Sequence, residues 1–291
     1  MWRWLKSRTR LVTQIAFTAL SNAYIKGFAS GTIYKGPLKA VCVPGLSCYS
    51  CPGALGSCPI GALQAALTER RVSFPYYVAG MLLLFGAVFG RWVCGFLCPF
   101  GLYQDLLHRI PVKKWHGMRT RLDRMLRWLK FVVLAVFVIW LPLFAVNAYG
   151  IGTPWFCKYL CPSGMLMGGI PLLALSEQLR SQVSFLFGWK FALLMGFSVW
   201  SAFFYRPFCK YLCPLGAIYG LFNRIAPLAY RVDPKACTHC GRCAKVCPMH
   251  VDLCREALPI ECIQCGECAR GCPEGAIGRG RGAAARGQKQ T

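Results

Sequence analysis

Acidic residues are scarce in this sequence. Ten Asp and Glu stand against 34 Lys and Arg, and all charged residues together reach only 15%. A soluble globular chain usually carries about 25% charged residues, so an ordinary soluble protein is a poor fit. Also missing are a nucleophile elbow, a phosphate-binding loop and an HExxH sequence, which leaves hydrolytic chemistry without support. The basic excess contains no motif with a known docking geometry on nucleic acid, so nucleic acid is not expected as a partner. No output domain is visible, which sets aside a sensor. No small-residue cleavage site follows the first apolar stretch, and that stretch reads as a retained helix.

Apolar sequence is abundant instead. Hydrophobic residues make up 56% of the 291 positions, and mean hydropathy is +0.43. Four segments approach the roughly 20 residues needed to cross a bilayer: about 11–30, 74–92, 128–147 and 185–205. The first is the weakest, interrupted by Gln14, Asn22 and Lys26. Short cytoplasmic loops are enriched in Lys and Arg. Such residues cluster at Arg3, Lys6, Arg8 and Arg10, and again between Arg109 and Lys130, including Arg119. The loop with Lys35, Lys39, Arg70 and Arg71, between the first and second segments, is ambiguous, and the loop between the third and fourth holds only Lys158 and Arg180. This pattern predicts both termini in the cytoplasm and membrane lipid as a partner. The expected fold is mainly α: a four-helix polytopic membrane domain over 1–225, then a small α+β domain over 226–278. The remainder, 279–291, reads as a basic disordered tail.

Nineteen cysteines supply the chemistry. Disulfide scaffolds are small, secreted and loop-rich, unlike this chain. Residues 237–248 read CTHCGRCAKVCP and 262–273 read CIQCGECARGCP. Each is C-x2-C-x2-C-x3-C-P, the bacterial two-cluster ferredoxin run, whose fourth Cys ligates the other cluster. Zinc sites use pairs rather than this triple-plus-one pattern. The spacing predicts two 4Fe–4S clusters, one on Cys237, Cys240, Cys243 and Cys272, the other on Cys262, Cys265, Cys268 and Cys247. Cys254 fits neither run and reads as a small apolar residue.

A second pattern, Cys-x-x-x-Cys-Pro, occurs as "CGFLCP" at Cys94/Cys98, "CKYLCP" at Cys157/Cys161 and "CKYLCP" at Cys209/Cys213. Proline favours the first helical position, which sets each second Cys beside unpaired backbone N–H groups at a helix start. From the predicted orientation, Cys94, Cys98, Cys209 and Cys213 share the cytoplasmic side and make one complete thiolate set. Cys157 and Cys161 fall on the opposite side with Cys42, Cys48, Cys51 and Cys58, two of which are expected to complete a second set. The other two are available for a disulfide. One or two further iron–sulfur clusters follow. Arg91, Arg206, Lys158 and Lys210 flank the pairs as candidate counter-charges, with interfacial snorkelling as the alternative.

The stretches GRWVCGFLCPFGLYQDLL and RPFCKYLCPLGA, with the two ferredoxin runs, resemble the NapH/NosR-type polytopic membrane iron–sulfur (polyferredoxin-like) proteins over about 75–278. CcoG-type accessory proteins of cytochrome oxidase assembly are related. The resemblance implies a bacterial inner-membrane protein that passes electrons from a quinone pool or cytoplasmic donor to a partner reductase within a complex. Cys157/Cys161 and the 42–58 segment depart from the simplest NapH pattern. Asp105, His108 and Glu177 are the available protonatable groups if quinone takes part. The alternative function is metal reduction or maturation of another metalloenzyme, which exposed Cys or Met, such as Met165 and Met167, would favour.

Overall fold

A computed structural model describes residues 2–68, 75–114, 121–145, 152–181, 183–254 and 259–280. Arg70, Arg71, Arg119 and the 281–291 part of the basic tail lie outside the described residues.

The membrane expectation is met in part. Among the described residues two helices are long and apolar enough to cross a bilayer, Leu122–Phe144 and Phe185–Phe203. The 74–92 segment forms only the 14-residue helix Tyr76–Phe89, ended by Gly90 at φ 55. At about 1.5 Å per residue that helix is about 21 Å long, short of the roughly 30 Å hydrocarbon core. The 11–30 segment is not one helix either. Trp2–Ser21 stops at Ser21, and a separate short helix, Ile25–Ser30, follows after a bend. Gly27 sits within that short helix just after the bend, where an added Cβ would lie 2.2 Å from the Pro52 carbonyl oxygen.

Four helices begin directly after a Cys-Pro step: Pro59–Thr68, Pro99–Leu107, Pro162–Gly164 and Pro214–Phe222. Proline at N1 has no amide to leave unpaired and presets φ, so each proline fixes where its helix starts. These helices converge under the long ones. Tyr103 reaches Ser198 across a 2.8 Å hydroxyl contact, and the Trp189 indole donates to the Tyr159 carbonyl at 3.1 Å. The buried Gln64 amide donates to the Phe137 carbonyl at 2.8 Å.

The C-terminal part is built around two short helices, Arg242–Val246 and Glu267–Gly271, and an antiparallel pair in which Tyr230 faces Arg279. Its two cysteine loops have the same winding. Each turns left-handed twice, at His239 and Gly241 in the first and at Gln264 and Gly266 in the second. Two unrelated loops have no reason to repeat a conformation that L-residues avoid.

This part docks directly on the helix starts. A Cβ on Gly95, beside Cys94, would lie 2.5 Å from the Ile263 carbonyl oxygen. Gly95→Ala is therefore expected to destabilise the protein by about 1–3 kcal/mol, the usual cost of overpacking. Thermal unfolding checks this against Gly80→Ala, where nothing lies within 4 Å of the new methyl; equal melting points would refute it.

Candidate iron–sulfur centres

The fold sorts sixteen of the cysteines into four sets of four. Cys94, Cys98, Cys209 and Cys213 come together, and every pair among them interacts through space. So does every pair among Cys247, Cys262, Cys265 and Cys268. Cys237, Cys240, Cys243 and Cys272 line one small cavity. The fourth set resolves the choice left open within 42–58. Cys48 and Cys58 join Cys157 and Cys161, again with every pair interacting. Cys42 instead contacts Ser57, and Cys51 lies near Cys48 and Lys39. Neither is in a disulfide.

The reason these thiols converge is local. Cys58, Cys98, Cys161 and Cys213 all stand in Cys-Pro-x-Gly. In each, the backbone N–H of that glycine, three residues on, lies near the thiol without closing a capping hydrogen bond at Cys98, Cys161 or Cys213: Gly61, Gly101, Gly164 and Gly216. Cys98, Cys161 and Cys213 each stand at the N-cap position of their helix, where the unpaired N–H groups of the first turn favour negative charge on a thiolate. The glycine leaves room for a counter-ion. A Cβ on Gly101 would lie 3.1 Å from the Arg206 guanidinium, one on Gly216 3.0 Å from that of Arg91, and one on Gly164 3.7 Å from Lys190 Nζ. The repeated glycine was visible in the sequence as a pattern, but its purpose required the packing.

Arg91 and Arg206 are each 0% exposed, which excludes snorkelling. They cross over. Arg91, three residues before Cys94, donates to the Cys209 carbonyl at 2.9 Å. Arg206, three residues before Cys209, donates to the Cys94 carbonyl at 2.6 Å. Each carries a carboxylate partner: Glu261 Oε2 at 2.7 Å from Arg91, and Asp105 at 2.6 and 2.7 Å from Arg206. Burial pushes the Asp105 carboxyl up, but Arg206 and Arg10 outweigh it and hold it below the usual carboxylate range. Gln104 donates to Cys209 Sγ at 3.1 Å.

The other two flanking cations are corrected. Lys158 is exposed and lies over the Tyr159 ring. Lys210 is buried but pairs with Asp123 at 2.7 Å. Lys190, which sequence reasoning passed over, fills the role at the other set. It donates to the Cys157 carbonyl at 3.2 Å and lines the cavity of Cys48, Cys58, Cys157 and Cys161. A lysine inside the apolar Phe185–Phe203 helix was the signal for it. Of the protonatable candidates, Asp105 is committed to its arginines, His108 contacts the Ser201 carbonyl at 3.2 Å, and Glu177 is exposed. Met165 is buried and Met167 half-buried, its sulfur 3.5 Å from Ser163 Oγ.

The expected separation of the two membrane-domain sets onto opposite faces does not hold. A Cβ on Gly45 would lie 3.1 Å from Cys98 Cα, and the Leu46 amide that follows lies near the Cys98 thiol. Cys48 is two residues further on, a reach of only about 7 Å. The fully buried Tyr219 adjoins both sets, sensing Cys94, Cys58, Cys98 and Cys42, and donates to the Pro44 carbonyl at 3.0 Å. Lys/Arg counting assigns loops to faces but does not register a loop that folds inward.

Cys254 is a further correction. It is no isolated packing residue: its sulfur lies 3.7 Å from Cys237 Sγ and 3.5 Å from Cys243 Sγ.

The donor sets fit the group. Four convergent sulfurs suit a 4Fe–4S cubane, and Asp252 stands near Cys243 at the first ferredoxin set. When bound, such a cluster takes up and releases single electrons. The protein's part is to hold the sulfurs, supply positive charge and exclude water.

Comparison with known proteins agrees. A 4Fe–4S binding domain matches three times, over residues 74–117, 131–173 and 186–231, so that each copy contains one Cys-x-x-x-Cys-Pro pair. A 4Fe–4S dicluster domain matches residues 222–279. The methylamine utilization ferredoxin-type protein MauN of Paracoccus denitrificans is 30% identical over 200 residues, covering 67% of this chain and 62% of that one. An uncharacterized protein of Methanocaldococcus jannaschii, MJ0749, is 28% identical over 67% of this chain and 66% of its own. The putative electron transport protein YccM of Escherichia coli is 27% identical over 60% of this chain and 47% of its own. The chain thus spans less than two thirds of the length of these relatives. No solved structure matches it. The chain binds 4Fe–4S clusters through these domains, and its similarity to ferredoxin-type and electron transport proteins fits a polyferredoxin-like family.

Proposed function

We propose that this protein is a membrane-bound relay that carries single electrons through four 4Fe–4S clusters between a quinone pool or cytoplasmic donor and a partner reductase. The observation that carries the reading is the continuity of the four sulfur sets. Ferredoxin ligands Cys237, Cys240, Cys243 and Cys272 hold the outermost cluster, and Cys247, Cys262, Cys265 and Cys268 the next. Arg91 spans from there to the third, contacting both the Ile260–Glu261 segment next to Cys262 and the Cys209 carbonyl. Tyr219 and the Leu46–Cys48 segment adjoin the third and fourth. This continuity favours a NapH-like role within a complex.

The cavity of about 770 Å³ is lined by Cys48, Cys58, Cys157 and Cys161 together with Lys190 and small residues such as Gly61, Ala65 and Gly168, and the part not filled by the fourth cluster gives a quinone head room at that end. Ligand cavities typically fall at about 300–1,000 Å³. Leu122–Phe144 and Phe185–Phe203 anchor the chain in the bacterial inner membrane, with the 226–278 lobe and both termini on the cytoplasmic side. Metal reduction is disfavoured because Met165 and Met167 offer no exposed thioether.

Iron and sulfide quantification tests the reading. Four cubanes give about sixteen iron per chain; a count of eight with intact protein would confine the clusters to the ferredoxin lobe and end the proposal. Cys94→Ser and Cys209→Ser are each expected to remove the same four iron and the same spectral signal. Loss of two different signals would contradict a shared centre.

A further inference from the structure

Three of the nineteen cysteines stand outside the four sets, and Cys254 differs from the other two. Its sulfur is in van der Waals contact with two sulfurs of the first ferredoxin set, 3.5 Å from Cys243 and 3.7 Å from Cys237. It lines the same cavity as all four members of that set. A turn fixes it there, its amide donating to Asp252 Oδ1 at 3.1 Å. Within the set, Cys243 is buried and Cys237 and Cys272 are half-buried, but Cys240 is exposed. The site therefore has one vulnerable ligand and one spare thiol.

We propose that Cys254 is a reserve ligand of this cluster, able to replace Cys240 on its iron. The inference rests on the reading that Cys237, Cys240, Cys243 and Cys272 hold a cubane. In the exchange one iron–sulfur bond to Cys240 breaks and one to Cys254 forms. Cys254 gives up its thiol proton and Cys240 gains one. No electron moves, and the iron keeps a thiolate. The benefit follows from exposure. Solvent-accessible thiolates are the ones that oxidants and electrophiles reach. A cubane that loses one of its four thiolates has an iron open to water. A fifth thiol already touching two of the ligand sulfurs and lining the same cavity is at hand to close that position. The cluster farthest along the relay, where a soluble partner must approach, is the one given this provision. His239, whose ring nitrogen lies in the same group of ligand atoms as Cys237 and Cys254, is the competing donor.

The test uses the full chain purified without oxygen. Cys240→Ser is expected to keep its full iron and sulfide content, with a shifted electron paramagnetic resonance signal for one cluster. Cys240→Ser/Cys254→Ser should lose about four iron, and Cys240→Ser/His239→Ala should not. Loss of four iron in Cys240→Ser alone, or their retention in the double cysteine variant, overturns the proposal. Cys237→Ser/Cys254→Ser, which also removes the spare thiol beside Cys237, separates the two levels: if it too leaves iron unchanged, the site assignment itself fails. Alkylation of wild-type protein with iodoacetamide, read by peptide mass spectrometry, requires no variant to fold. In chains that retain the cluster, label should divide between Cys240 and Cys254 and never occupy both. Label on Cys254 alone means that Cys240 is never released and refutes the exchange.

Discussion

Glu261→Ala is expected to cause the largest loss of stability of any single substitution in the docking region, about 3–5 kcal/mol, the usual consequence of leaving buried charge without its partner. The carboxylate is 5% exposed and holds two cations, Arg91 and Lys130, that are both 0% exposed. Lys130 belongs to the long Leu122–Phe144 helix and Arg91 to the approach to Cys94, while Glu261 precedes the ferredoxin ligand Cys262. One residue therefore clamps the lobe to both. Burial pushes the Glu261 carboxyl up, yet Arg91 and Lys130 prevail and hold it below its usual range, so it stays charged near neutral pH. Thermal unfolding in detergent should show the drop, and limited proteolysis should release the C-terminal lobe faster. Glu267→Ala is the control. Its pair with Arg270 is 26–39% exposed, and exposed pairs contribute only about 0–1 kcal/mol. Equal melting points for the two variants would refute the clamp.

Arg206→Ala is expected to cost the inner membrane-domain centre its iron, about four atoms per chain. The guanidinium uses its fork fully, two donors on Asp105 and one on the Cys94 carbonyl. It adopts φ 50, a conformation uncommon outside glycine, and no other residue offers the same planar set of donors there. Alanine leaves Asp105 buried with Arg10 and Gln14 and removes positive charge facing four thiolates. Arg206→Lys keeps charge but not the fork, so it should retain iron at a lower reduction potential than wild type. Iron quantification and a redox titration of the remaining clusters read both effects. Unchanged iron in Arg206→Ala would show that the arginine serves packing alone.

The ferredoxin ligands were legible in the chain because short C-x2-C-x2-C loops bring their own sulfurs together, with no need of the rest of the fold. The Cys-Pro helix starts were legible for the same reason: proline sets φ locally. The pairing of Cys94/Cys98 with Cys209/Cys213 also followed from counting Lys and Arg. Helix lengths were less secure. Hydropathy marks an apolar stretch but not the bend at Asn22–Tyr24 or the stop at Gly90, which depend on close backbone approach elsewhere. Arg91 and Arg206 could be named as neighbours of the cysteines, yet each serves the opposite repeat, a crossing that no one-dimensional spacing contains.

What the sequence alone determined is the kind of chemistry: iron–sulfur clusters, held by thiols whose local turns are self-sufficient. What only the tertiary structure decided is which distant thiols meet. Cys48 and Cys58 were chosen over Cys42 and Cys51, the two membrane-domain sets became neighbours through Leu46 and Tyr219, and Cys254 arrived beside Cys237 and Cys243. Those contacts join residues far apart along the chain, and they are set by packing of glycine-lined helix starts around buried cations, a property of the whole fold.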